Sequence, residues 1–315
     1  DERVSAIAED ILANSLTFYK GLLEDPNIWE SDFAEFDPLS EQEEQGAKEN
    51  VEQFLNEVLF TSERITSILQ KLVQRFVILT QKEIEQWNED SMQFFLNQKE
   101  WGNDVKGNYL RERAENLISN ISLRYDPFFR SFVEQISKEL GSPEISDGSL
   151  EAQVKKDAIY QVILLRLNDE EEIEIEPFLR SIQGDLEREQ SYLIVKSRAI
   201  QVLKKLSNFR QLRDDVVTQE TLVNGIINLF VAQEGANSVD VHLQMCCLEY
   251  FKNFYNDDEF RTQRYAPLLP KVLEISNRMF LKYTSLGEES FSGLTSSSDV
   301  EETKLKLMNE IMELY

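Results

Sequence analysis

Glycine and proline are both scarce in this chain, with 11 and 7 in 315 residues. That leaves few breakers, and with Leu, Glu, Gln, Lys and Ile abundant it predicts helix nearly throughout. There is a single histidine, His242, which removes most histidine-based acid–base and triad chemistry. The two cysteines, Cys246 and Cys247, are adjacent; this argues against a disulfide framework and fits a reducing compartment. They lack C-x-x-C spacing and further ligands, so they read as small packing residues rather than a zinc site. No apolar run is long enough to span a bilayer, which predicts no membrane insertion. No G-x-x-x-x-G-K-[ST] loop or G-x-G-x-x-G turn is present. Nothing in the sequence calls for a cofactor, a metal or catalytic residues, and the expectation is a protein that is not an enzyme. Basic residues are outnumbered, 33 against 58 acidic, for a net charge of −25. Such a surface repels nucleic acid and steers basic partners. The start, DERVSAIAED, has neither an initiator Met nor a signal core, which predicts a fragment of a larger protein.

What the sequence does contain is helical periodicity. In Tyr192–Phe209, Leu193, Val195, Ala199, Val202, Leu203 and Leu206 recur on one face, with Lys196, Ser197, Lys204 and Lys205 left to water. The preceding segment, Glu176 to Glu189, carries Pro177 in its first turn, where no intrahelical N–H is lost. Further helices are predicted over Val4–Leu23, two within Ala47–Leu79 with an N-cap at Ser62, then Asn108–Ser122, Tyr125–Leu140, Leu150–Leu167, Asp214–Gln233, Val239–Tyr255 and Asp299–Tyr315. Phe260–Tyr283 is predicted to bend or break at Pro267 and Pro270. Thr80–Gly107 reads as irregular, with Trp87 and Trp101 anchoring it. The acidic connector 24–46 and the Ser-rich loop 284–298 read as flexible and open to proteases.

A register repeats along these helices. Ala114, Ala158, Ala199 and Met245 each follow an apolar residue by four, and they lie 44, 41 and 46 residues apart. Basic residues precede three of them: Arg113, Lys156 and Arg198. HEAT and armadillo units run roughly 40–47 residues. The expected fold is all-α, an α-solenoid of HEAT-like repeats: one right-handed superhelical array over 1–315 of about six antiparallel helix pairs.

Three stretches carry a family likeness. Leu79–Phe95 holds Leu79, Thr80, Glu83, Trp87, Asp90 and Phe94. Tyr109–Ile121 reads YLRERAENLISNI. The run from Tyr192 onward includes Phe260, Arg261, Thr262, Pro267 and Leu268. Together they resemble the importin-β (karyopherin-β) family of nuclear transport receptors, most of all its importin-eleven branch. The resemblance implies a non-catalytic receptor that shuttles between cytoplasm and nucleus, meets nucleoporin FG repeats, and binds basic nuclear or ribosomal cargo that RanGTP releases. The acidic candidates for cargo or Ran binding are Asp157 and Glu249 on second helices of pairs, with Glu170, Glu171, Glu172 and Glu174 in one link and Asp257, Asp258 and Glu259 in another. The first link fits a solvated loop equally well, and it lacks the spacing and glycine of an EF-hand. The alternative role is a HEAT scaffold subunit of a multiprotein complex.

Overall fold

The computed structural model describes residues 14–21, 60–91, 109–142, 148–167, 175–188, 192–207, 215–234, 240–255 and 269–285, with isolated positions between and beyond them. All their regular structure is helical, with no strand among them. Ten helices carry the description: α1 (Ser62–Leu72), α2 (Gln81–Glu89), α3 (Tyr109–Arg124), α4 (Asp126–Glu139), α5 (Leu150–Arg166), α6 (Glu176–Glu187), α7 (Leu193–Leu206), α8 (Val216–Glu234), α9 (Val241–Tyr255) and α10 (Leu269–Ser285).

Local chemistry explains where several of them begin. The extended backbone of Thr61 caps α1, its Oγ1 accepting from the Arg64 N–H at 3.4 Å, one residue before the expected cap at Ser62. A π-helical turn, Val73–Val77, extends α1 and was not foreseen. Within the stretch expected to be irregular, α2 is a helix. A capping box starts it: Glu83 Oε2 accepts from the Thr80 N–H at 2.7 Å, and Thr80 Oγ1 accepts from the Glu83 N–H at 3.3 Å. Only Ile84 and Trp87 are its buried apolar residues, too few to show as a periodic stripe. Proline occupies the first turn of α4 and of α6. Pro270 is the second described residue of α10, and the residues before Leu269 lie outside the described ones. Pro267, Trp101, the 24–46 connector, residues 286–298 and most of Asp299–Tyr315 lie outside the described residues.

The chain divides into two compact units. One comprises Asp1–Leu79, Glu100–Ser146 and Val154–Arg166. In it α1 lies against α3 and α4, and α3 against α4. Ile65, Leu69, Ile118 and Phe129 are fully buried. Arg166 Nη2 forms an ion pair with Asp126 Oδ1 at 2.8 Å, and Asp126 Oδ2 accepts from Arg130 Nε at 2.7 Å.

The other unit comprises Thr80–Lys99, Asp147–Gln153 and Leu167–Tyr315. Here α6 packs on α7 and α8 on α9, each pair joined by a short connection and therefore antiparallel. The pairs stack with α6 against α8 and α7 against α9, the last being the most extensive contact. First helices thus form one layer and second helices another. The repeat marks Ala114, Ala158, Ala199 and Met245 fall on α3, α5, α7 and α9, and all are fully buried. One expectation needs correction: Lys196 and Ser197 are not in water. With α6 on one side and α9 on another, α7 is enclosed almost all round, and both residues are buried. Ser197 Oγ turns back to donate to the Leu193 carbonyl at 2.9 Å. Lys205 stays exposed, as expected, and Lys204 half-exposed.

A carboxylate at position 199, which is fully buried, would be taken out of water against close-packed neighbours. Ala199→Asp is expected to lower the unfolding free energy by roughly 3 kcal/mol or more. Urea denaturation followed by circular dichroism measures this, and an unchanged midpoint would show that this face is not inside.

Candidate functional site

The acidic positions expected to bind partners fare unequally. Glu170, Glu171, Glu172 and Glu174, and likewise Asp257, Asp258 and Glu259, lie outside the described residues. Asp157, expected near an open face, is only 1% exposed. It directly precedes the mark Ala158 on α5, where most side chains of the helix are covered. Glu249 is half-buried, and its Oε2 already accepts from Lys204 Nζ at 3.2 Å. Neither of the two is an open carboxylate.

A polar cluster that the structure does assemble sits in the second unit, where α7, the N-terminal turn of α9 and the segment around α2 converge. Asp240 caps α9: its Oδ1 accepts from the Leu243 N–H at 2.9 Å. Ser91 Oγ accepts from the Val241 N–H at 3.0 Å, across 150 residues of sequence. The Phe94 ring meets the His242 ring edge to face, centroids 5.3 Å apart at 88°. The Trp87 indole N–H faces the Asp240 carboxylate and favours its charged form, though outside standard hydrogen-bond geometry.

Along α7 and α9 the polar contacts form a ladder. Gln201 Nε2 donates to Cys246 Sγ at 3.4 Å, and Lys204 pairs with Glu249 at 3.2 Å. One step back, Arg198 donates to Gln201 Oε1 at 2.8 Å, and its charge acts on His242. Residues 201 and 204 meet partners 45 positions later in each case. In antiparallel helices one index would fall as the other rose. The constant offset means that α7 and α9 run parallel, equivalent positions touching one repeat apart.

Burial sets the electrostatics of this cluster. It pushes the Asp240 carboxyl up to about 6, against the helix N–H groups that favour its charge. Burial, and secondly Arg198, holds His242 down to about 3, so the ring is neutral near pH 7. Burial, with Glu249 next, pushes the Cys246 thiol up to about 12, and burial raises Cys247 well above the ordinary range. Protonated, buried thiols are poor nucleophiles. The arrangement is suited to joining helices rather than to acid–base or thiol chemistry. Its sequence signals were uneven. Asp240 ahead of an apolar helix is a readable N-cap, whereas nothing local marks Ser91 as its neighbour.

No helix among the described residues is long and apolar enough to cross a membrane. Comparison with protein families, with curated proteins and with solved structures finds no match.

The two shifts act on stability with opposite signs. His242, depressed in the fold, contributes stability above its ordinary value of 6.5 that is lost as pH falls toward about 3. Asp240, raised in the fold, contributes stability that is fully present below 3.8 and lost as pH rises through about 6. Between pH 7.5 and 5.5 the two partly cancel. On that acidification His242→Gln is expected to lose about 1 kcal/mol less stability than the parent, and Asp240→Asn, which keeps a capping side chain, about 1 kcal/mol more. Denaturant titrations at the two pH values test both signs.

Proposed function

We propose that the chain is part of an α-solenoid of HEAT-like helix pairs, a right-handed superhelical array, acting as a piece of an importin-β-type nuclear transport receptor. In this reading it binds basic nuclear or ribosomal proteins, yields them to RanGTP, meets nucleoporin FG repeats and shuttles between cytoplasm and nucleus. The observation that carries the repeat reading is the constant 45-residue offset between touching positions of α7 and α9. It equals a HEAT-length translation. The excess of 58 acidic over 33 basic residues supports a basic partner. The resemblance to the family supports the transport role. Its run from Leu79 supplies folded parts here: Thr80 and Glu83 build the capping box, and Trp87 and Phe94 are buried.

The scaffold reading, in which the solenoid joins fixed subunits of a complex, is favoured by a different observation. Asp157 is buried and Glu249 already holds Lys204, so neither of these second-helix acids is open to a basic cargo. The two readings separate on whether RanGTP binds the chain and displaces a bound basic protein.

Exposed ion pairs contribute about 0–1 kcal/mol each, so affinity for a basic cargo has to be distributed over many contacts. Reversing Glu170, Glu171, Glu172 and Glu174 together to Lys is expected to weaken binding of a Lys/Arg-rich ribosomal protein by at least about tenfold. The helical circular dichroism spectrum should stay unchanged. Parent binding should fall as salt rises, because screening at physiological strength acts over about 8 Å. Equal binding by the four-fold variant in calorimetry would remove this link from the cargo surface.

A further inference from the structure

We draw no further inference here: the strongest candidate, the exposed apolar patch of Leu123 and Phe128 where α3 meets α4 in the first unit, carries none because nothing in the structure shows what covers it.

Discussion

The side-by-side packing of α7 on α9 is the contact on which the second unit depends. Ten residues of α7 are buried, including Val195, Ala199, Val202, Leu203 and Leu206. Fully burying one large aliphatic side chain contributes about 1.5–3 kcal/mol. The half-exposed Lys204–Glu249 pair contributes about 1 kcal/mol at most. Apolar burial therefore holds the helices together. The ladder of Arg198, Gln201, Lys204, Cys246 and Glu249 acts on register instead, because sliding one helix by a turn would misplace its rungs together. Ala199 lets the backbones approach, and α6 and α8 close the other layer behind them.

That packing also reorganises charge. Several cations lie inside: Lys156 and Arg166 in the first unit, Lys196 and Arg198 in the second. Long basic side chains bury their methylene stems and place their charged ends among polar groups. Arg166 does this against Asp126, and Arg198 against Gln201. The acidic excess thus has two faces. Over the whole protein it sets a field that attracts basic partners. At the described second-helix acids, Asp157 and Glu249, it is already engaged in the protein's own structure.

The N-terminal turn of α9 shows how one short element serves several ends. Asp240 caps the helix, sits beside Trp87 and carries a raised pKa because burial outweighs its N–H partners. His242, two residues on, is held neutral by the same enclosure and receives Phe94 on its ring. Their opposed titrations make the joint less sensitive to mild acid than either group alone.

Much of the fold was legible in the sequence. Most of the described helices follow from 3.6-residue periodicity and sparse breakers, and the marks at 114, 158, 199 and 245 were readable because repeats bury equivalent positions. The capping box of α2 was legible in Thr80 and Glu83 but hidden by its short apolar stripe. Other features were decided by tertiary structure. Lys196, Ser197 and Asp157 are polar and look solvent-facing by composition, yet neighbours on several sides enclose them. The partnership of Ser91 with Val241, and of Phe94 with His242, joins positions far apart in the chain, and no local pattern encodes it. Periodicity reports which face of a helix is apolar; how many of its faces are covered, and by which distant segment, depends on the packing of the other helices.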